Sequence, residues 1–578
     1  MLILLTIFLF IFTAFAMLIL RVLRPRLSIQ GFVVVLAVLS GLPMVFLARS
    51  DIPHIIQLLQ WKPDSLFPLS PSLLIDKISW DFALALTTLS FSVVITSITQ
   101  LGQSKKIDLF SVQNQTHGVE TSTTSSNTSG VKISPAANVS NKETGAPSNW
   151  LLWAAILIIT SMGLLAVTAG NILTLLLTWA ALDITELIVM LSQGLQSGIR
   201  ERIILVFSAK MAGIVTLLVA GLTLWSLGDS LSFDAISPSI SIYLILAAGI
   251  RLGVLPFQLP FTQELPINRG LGTVLRLVPA ASSYILLVRV SATGVNGAIT
   301  PYLVVFTTMA GLFAAINWMH AKDELNGRPY WLLGTASLAV GAAILNQPVA
   351  CSAWSIASLL SGGFIFSMSL RHRNLIPLVL LGMVNLSSLP FTPTWQGTRL
   401  YQYSSTFAVN LSIFSLFSIL FLLIQAFLLA GFIRHSLRGI YPSGEEISEH
   451  IERWVWFLYP CGLILMVVTH LFIGLEHYPN LNGLPLYWWI IGPIVLIITG
   501  LILYITWRYP QSSSIFINSR KPSFWNNLFS LDWLYRLLWQ LFRGVSNLIS
   551  LFSAMLEGEG GILWALVLFA LIFVFLQR

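Results

Sequence analysis

Residues 244–260 read LILAAGIRLGVLPFQLP, an apolar stretch that contains one arginine, Arg251, and two prolines. A proline removes a backbone hydrogen-bond donor and clashes with the preceding turn, so Pro256 and Pro260 interrupt a helix that begins before Arg251. In a bilayer, the carbonyl groups freed by such a break are satisfied by water or by a polar side chain. Broken helices at membrane depth commonly line hydrated pathways. The stretch therefore predicts a broken membrane helix, the seventh along the chain, close to a buried charge.

The composition of the whole chain places this stretch among many similar ones. Of the 578 residues, 56% are apolar and 9% are charged, whereas an ordinary soluble domain carries about 25% charged residues. Apolar stretches long enough to cross a bilayer occur about sixteen times. We predict an all-α, polytopic membrane helix bundle with about 16 transmembrane helices and an amphipathic helix on the inner membrane surface before the last span.

A second interruption follows the twelfth apolar stretch. The sequence LPFTPTWQGTR at 389–399 contains Pro390 and Pro393, which predict a broken twelfth helix. The alternative is a plain proline-rich loop after a complete span.

Basic residues concentrate in every second loop, as expected because positively charged loops resist translocation. The pattern predicts that both termini lie outside, and the absence of a targeting presequence favours a bacterial inner membrane or a thylakoid-type membrane. The predicted divisions of the chain are 1–101 with transmembrane helices 1–3, 102–149 as a disordered polar inside loop, 150–433 as the helix core, 434–508 with further transmembrane helices, 509–559 as an inside loop with the interfacial helix, and 560–578 as the final transmembrane helix.

No sequence pattern indicates a cofactor. Cys351 and Cys461 both lie in apolar stretches, which leaves no disulfide framework and no thiolate metal cluster. Histidine, cysteine and carboxylate spacings resemble no metal site, and no phosphate-binding or dinucleotide-binding motif is present. We therefore expect no metal, no cofactor, no nucleic acid partner and no enzymatic step on this chain alone. The expected partners are the lipid bilayer and other membrane subunits, which would have to supply any energy.

Charged residues at bilayer depth are the first candidates for function, because burial of an unpaired charge is costly there. Asp183 and Glu186 are three residues apart in the fifth apolar stretch, a spacing that places both carboxylates on one helical face. Two adjacent carboxylates raise each other's proton affinity, so they could hold and release a proton near neutral pH. The alternative is that Lys210, Arg251 or another helix neutralises them and that the charges only hold the bundle together.

The order of these features resembles the antiporter-like membrane subunits of respiratory complex I, a family shared with multisubunit cation/proton antiporters and some inorganic-carbon uptake pumps. The resemblance covers about residues 150–430, and the end of the chain is most similar to the largest, distal complex I subunit. The family's fifth span has a Gly/Asp-Asn start and a Trp-Glu pair. Here Gly170 and Asn171 begin the stretch, but the carboxylates stand beyond Trp179, at Asp183 and Glu186.

The other charged positions of the family also differ in this sequence. Arg251, followed by Pro256, stands where the family has a lysine before a Pro-Phe-His break. Arg276 falls near the family's eighth-span histidine, Arg328 near its tenth-span lysine, and Arg399 near its twelfth-span lysine or glutamate. An arginine keeps its proton in a protein, so it tunes a neighbouring carboxylate rather than relaying a proton.

The resemblance implies a proton- or cation-translocating membrane subunit of a complex I-like NADH:quinone oxidoreductase or of a related multisubunit antiporter, without a redox centre of its own. The loss of titratable residues favours a second hypothesis, a non-conducting structural paralogue. A third is a transporter subunit for another ion or for inorganic carbon. The residues predicted to form the ion pathway are Asp183, Glu186, Lys210, Arg251, Arg276, Arg328 and Arg399, with helix breaks at Pro256, Pro260, Pro390 and Pro393.

Overall fold

The computed structural model describes residues 1–23, 30–57, 70–117, 149–193, 197–228, 231–233, 236–256, 267–295, 298–370, 372–401, 411–438, 453–477 and 487–508, with residues 540, 543, 544, 546, 547, 550 and 567. The chain forms two compact units, one of Met1–Phe257 with Phe261–Ser513 and the other of Gln258–Pro260 with Ser514–Arg578. The predicted final span at 560–577 and most of the predicted interfacial helix lie outside the described residues, so both stay predictions.

The first unit is a bundle of α-helices, as the sequence predicts. The helices are α1 (Leu2–Leu23), α2 (Gln30–Leu47), α3 (Lys77–His117), α4 (Asn149–Val167), α5 (Ile172–Ser192), α6 (Ser197–Leu227), α7 (Pro238–Arg251), α8 (Arg269–Ser291), α9 (Thr300–His320), α10 (Glu324–Ile344), α11 (Pro348–Ser367), α12 (Ile376–Leu386), α13 (Leu411–Leu437), α14 (Arg453–Glu476) and α15 (Tyr487–Arg508).

Within the described residues, 12 helices are long and apolar enough to cross a membrane. They confirm a multi-pass integral membrane protein, whereas the predicted count of 16 is not confirmed. Helices α7 and α12 are apolar but short. Helix α10 begins with charged and polar residues, Glu324 to Arg328, which lower its hydropathy.

The structure confirms both predicted helix breaks. Helix α7 ends at Arg251, and the turn that follows contains Gly253 at a φ of +74°, a left-handed conformation that glycine adopts without strain. Helix α12 ends at Leu386, and a helix of 3-10 type follows at Pro393–Tyr401. Pro256 lies in the first turn and Pro390 between the two helical segments, while Pro260 lies outside the described residues.

The interior of the bundle is built from helices that are buried on nearly every side. Within the spans of α3 and α8, 94% of the residues are buried. Small hydroxyl side chains hydrogen-bond between these inner helices, as Ser90 does with Thr160 at 2.6 Å and Ser92 with the carbonyl of Gly462 at 2.6 Å. Such residues let helices approach closely in a membrane, where apolar burial does not drive association. Large apolar side chains on α1, α2 and α15 are exposed and thus suited to face lipid.

Two features between α2 and α4 differ from the sequence predictions. Residues His54–Gln57 (β1) and Ser72–Ile75 (β2) form an antiparallel pair that the apolar pattern does not reveal, because it lies in a loop. Helix α3 continues to His117, so 102–117 is helical where the sequence indicates a disordered loop. A polar composition argues against burial, but it does not prevent the formation of a helix.

Candidate functional site

Helix α5, which carries both candidate carboxylates, is fixed at its start by side-chain hydrogen bonds. The Asn171 side chain accepts a hydrogen bond from the backbone N–H of Thr174 at 2.7 Å and so caps the helix. Its amide nitrogen donates to the carbonyl of Ser70 at 2.9 Å, beside β2. The predicted start of the fifth helix at Gly170 and Asn171 is therefore confirmed, and the β-pair holds that start in place.

Asp183 is paired with Arg251 at the break of α7. One guanidinium nitrogen of Arg251 donates to Asp183 Oδ1 at 2.8 Å, and the other donates to Oδ2. Both side chains are fully buried. A fork of two parallel hydrogen bonds fixes orientation as well as charge, since guanidinium and carboxylate are both planar. We call these two residues the arginine pair.

The space around Arg251 is shaped by a tryptophan and a glycine. The guanidinium lies over the ring of Trp179, one turn before Asp183 in α5, at 4.3 Å from the ring centroid. Gly213 of α6 lies against the stem of the arginine, where an added Cβ would come within 2.6 Å of Arg251 Cγ. Trp179 and Gly213 thus hold the arginine in one position.

Glu186 is paired with a different cation. Lys210 of α6 donates to Glu186 Oε2, and the two side chains are 8% and 7% exposed, respectively. Arg276 of α8 also interacts electrostatically with Glu186. Lys210 makes its contact through a single nitrogen at the end of a flexible chain, in contrast to the rigid fork of the arginine pair. We call Glu186 and Lys210 the lysine pair.

The structure thus brings five of the predicted pathway residues together on α5, α6, α7 and α8. Asp183 and Glu186 each have a cation of their own, so the geometry is that of two neighbouring ion pairs. This is the arrangement of the alternative in which Lys210 and Arg251 neutralise the carboxylates. An ion pair that opens also serves a proton pathway, so the same geometry suits both a structural role and proton handling.

The other two predicted arginines lie in other surroundings. The guanidinium of Arg328 lies 5.4 Å from the ring centroid of Phe366 and donates to the carbonyl of Arg269 at 3.4 Å. Arg399, in the helical segment after α12, stacks on Trp488 of α15 at 5.1 Å. Each therefore contacts an aromatic ring in a setting distinct from the two ion pairs.

Sequence reasoning missed an ion pair near Arg328. Arg269, at the start of α8, donates to Glu324 of α10 at 2.7 Å and to the carbonyl of Met368 at 2.9 Å. Glu324 is buried. A lone glutamate at the start of an otherwise apolar helix is the signal that could have revealed it. The preceding residue, Asp323, caps α10 by accepting from the backbone N–H of Asn326 at 2.7 Å.

The described residues contain no group of three or more histidine, cysteine or carboxylate side chains placed to hold a metal ion. Cys351 is buried and Cys461 is exposed.

Comparison with solved structures places this architecture among known membrane complexes. The Mrp complex from Dietzia sp. DQ12-45-1b contains a chain that matches with a TM-score of 0.65 and 12% identity, over 100% of this chain and 63% of that one. The chain thus spans somewhat under two thirds of the length of the Mrp chain. A chain of the membrane-bound sulfane sulfur reductase, an archaeal respiratory membrane complex, matches with a TM-score of 0.63 and 14% identity over 98% and 99% of the two chains.

Respiratory complex I from Thermus thermophilus contains a third similar chain, with a TM-score of 0.53 and 14% identity over 81% of this chain and 98% of that one. The chain has the fold of an antiporter-like membrane subunit. The resemblance predicted from the sequence is therefore confirmed at the level of the fold. No protein-family model matches the sequence, and no curated protein is detectably similar to it in sequence.

Proposed function

We propose that this chain is a proton- or cation-translocating membrane subunit of a multisubunit complex. The observation that carries the proposal is the lysine pair, an exchangeable carboxylate and amine buried beside a broken helix. Intramembrane charges are costly and commonly mark ion pathways. The fold, shared with chains of the Mrp complex, the sulfane sulfur reductase and complex I, supports the same assignment.

The proposed chemistry takes place at the lysine pair. A proton that reaches Glu186 neutralises its carboxylate and removes the attraction that holds Lys210. Lys210, on a flexible stem, then turns toward another acceptor, and its amine can give up a proton when buried. Transfer of the proton from Glu186 to the neutral amine of Lys210 restores both charges and closes the pair again. Each cycle moves one proton past α5 and α6 with a small displacement of side chains.

The arginine pair has a different role in this proposal. Arg251 keeps its proton, and its fork to Asp183 is rigid, so the pair contributes a fixed charge arrangement rather than a relay. The turn after α7 lies next to the pair, and its backbone N–H groups bind the last carbonyls of the helix, those of Ala248, Gly249 and Ile250. Water entry at this break is part of the proposal, because broken helices at membrane depth commonly line hydrated pathways. Arg276 adds a positive charge that acts on the lysine pair.

We propose further that partner subunits supply the energy. The three similar chains all belong to multisubunit complexes, and an electrostatic change at the lysine pair imposed by a neighbouring subunit would drive its opening. A complex I-like oxidoreductase and a multisubunit antiporter both fit this arrangement.

The test is proton flux in proteoliposomes that contain the complex purified with the full-length chain. We expect a pH gradient to drive flux in the wild type and expect the combined substitutions Asp183→Asn and Glu186→Gln to abolish it at equal incorporation. Substitution of the exposed Lys322 by methionine is the control for loss of a charge elsewhere. If the combined variant conducts like the wild type, or if the wild type conducts no protons, the proposal is wrong and the non-conducting paralogue becomes the better account.

A further inference from the structure

Another buried acid lies at the end of the bundle that carries the β-pair. Asp81, in the second turn of α3, is 1% exposed. Among the described residues, no group donates a hydrogen bond of normal geometry to either of its carboxylate oxygens. The nearest ionisable partner is His477, which directly follows α14, with its Nε2 at 3.3 Å from Asp81 Oδ2.

The contacts of His477 determine which of its nitrogens carries hydrogen. Nδ1 lies 3.0 Å from the backbone carbonyl oxygen of Ile473, and a carbonyl can only accept, so Nδ1 is the donor. In the neutral ring Nε2 then presents a lone pair to Asp81. If Asp81 were ionised, its Oδ2 would also present a lone pair, and Oδ2 and His477 Nε2 would repel each other. The pair therefore needs one shared proton.

Burial identifies the residue that holds this proton. Burial lowers the pKa of His477, so the neutral ring is favoured. Asp81 then keeps its carboxylic acid proton and is aimed at the free nitrogen of His477. A carboxylic acid with little solvent around it readily stays protonated, because burial disfavours the charged form.

The other charged groups around this pair have partners of their own. Arg49, after α2, is ion-paired with Glu476 of α14. Lys77, at the start of α3, donates to the carbonyl of Glu476 at 3.4 Å. Asp76 lies 3.6 Å from a guanidinium nitrogen of Arg289 of α8. The charges of Arg49 and Glu476, and those of Asp76 and Arg289, offset each other, which leaves the positive charge of Lys77. Among the described residues, none of these groups supplies the missing hydrogen bond to Asp81.

A pocket next to the pair is lined by further polar atoms. His470 of α14 and His477, which directly follows that helix, are seven residues apart, and both line the pocket with Gln396 of the segment after α12. Gln396 Nε2 donates to the carbonyl of His477 at 2.5 Å. Gln396 Oε1 and His470 Nε2, although buried, have no hydrogen-bond partner among the described residues. Buried polar atoms without protein partners commonly hold water.

We propose that Asp81 and His477 form a second proton-holding site, at which protons enter or leave this end of the bundle through the pocket beside Gln396 and His470. In the step, the O–H bond of Asp81 breaks and an N–H bond forms at His477 Nε2, which makes an imidazolium and a carboxylate. A water molecule in the pocket takes the proton from the imidazolium, and a proton from the next donor restores the Asp81 acid. The role in translocation rests on the proposed function, whereas the shared proton does not.

The shared proton is tested by infrared difference spectroscopy on the full complex during a pH titration. We expect a protonated carboxylic acid signal that is present at neutral pH, disappears with Asp81→Asn, and shifts with His477→Gln. The exposed His54, in β1 at the same end, provides the matched control, and His54→Gln should leave the signal unchanged. A wild-type spectrum without a signal sensitive to Asp81→Asn would overturn the assignment of the proton.

The role in translocation is tested by the same proteoliposome assay. In Asp81→Asn the side-chain amide can donate to His477 Nε2, so we expect normal assembly, but the amide releases no proton and flux should fall at least about tenfold. His477→Gln should lower flux as well, and His54→Gln should not. If Glu186→Gln abolishes flux and Asp81→Asn leaves it intact, this inference is wrong and the proposed function stands. A wild type without proton flux would refute the proposed function and the role of Asp81 and His477 in translocation. The infrared signal would still show whether Asp81 and His477 share a proton.

Discussion

Substitution of Arg251 by methionine tests the arginine pair. Methionine fills much of the volume of the arginine stem but leaves Asp183 buried with neither of its guanidinium hydrogen bonds. Removal of one partner from a buried ion pair costs about 3–5 kcal/mol. Because a difference of 1.4 kcal/mol is a factor of about ten, the ratio of folded to unfolded protein should fall by two to four powers of ten.

Replacement of both charges separates this effect from simple loss of packing. We expect the combined substitutions Arg251→Met and Asp183→Leu to recover most of the lost stability, because exchange of a whole buried pair for apolar residues is often neutral or stabilising by about 1–4 kcal/mol. Unfolding can be followed through the thiol of Cys351, which is buried in α11, with the exposed Cys461 replaced by serine to remove background labelling.

Two results would refute the reasoning. If Arg251→Met is as stable as the parent, Asp183 does not depend on the guanidinium. If the combined variant is no more stable than Arg251→Met alone, the loss comes from packing around Trp179 and Gly213 rather than from the unpaired carboxylate.

Two further predictions concern the surroundings of the site and the start of α10. Gly213→Ala places a methyl group within 2.6 Å of Arg251 Cγ and 2.9 Å of the carbonyl of Ala247, so it should destabilise the protein by about 1–3 kcal/mol. Gly500→Ala, which has nothing within 4 Å of the added carbon, should not destabilise it. Labelling of Cys351 measures the stability of both variants. Burial raises the pKa of Asp323, but hydrogen bonds from Asn326 outweigh that effect and lower the pKa, so the cap contributes fully above about pH 4 and is lost as the pH falls through the lowered pKa. Asp323→Ala should lower the free energy of unfolding by about 1 kcal/mol at neutral pH and remove the loss of stability on acidification. Asp323→Asn should keep the cap and also remove that loss. Equal acid sensitivity in the wild type and both variants would contradict this prediction.

The helix breaks could be predicted from the sequence because they follow from local chemistry. Pro256 and Pro390 restrict the backbone wherever the chain lies, and the structure ends α7 and α12 close to them. The end of α7 could not be placed exactly, since the helix stops at Arg251, before the first proline. The membrane location could also be predicted from the sequence, because a long uncharged stretch is stable in few other environments.

The pairing of charges could not be predicted from the sequence. Asp183 and Arg251 are 68 residues apart, and Glu186 and Lys210 are 24 apart. The spacing of three residues on one helix face suggested that the two carboxylates interact with each other, but the choice of partner depends on how α6 and α7 pack against α5. Only the list of possible cations could be given in advance.

Asp81 and His477 were missed for a related reason. Asp81 stands near the start of an apolar stretch, where a charge usually reaches solvent, and His477 stands in a polar loop. Their contact joins the beginning of α3 to the end of α14, which only the folded bundle brings together.

Proton flux in proteoliposomes that contain the Lys210→Arg complex tests the central claim most directly. The substitution keeps the charge and the ion pair but removes the ability to release a proton. Arginine at this position would bind Glu186 through a rigid fork, as Arg251 binds Asp183, and the lysine pair would no longer open. The account predicts an assembled complex with proton flux at the background level, while Lys322→Arg, an exposed position, conducts like the wild type. Wild-type flux in Lys210→Arg would contradict the account, since translocation would then not depend on an exchangeable amine at Glu186.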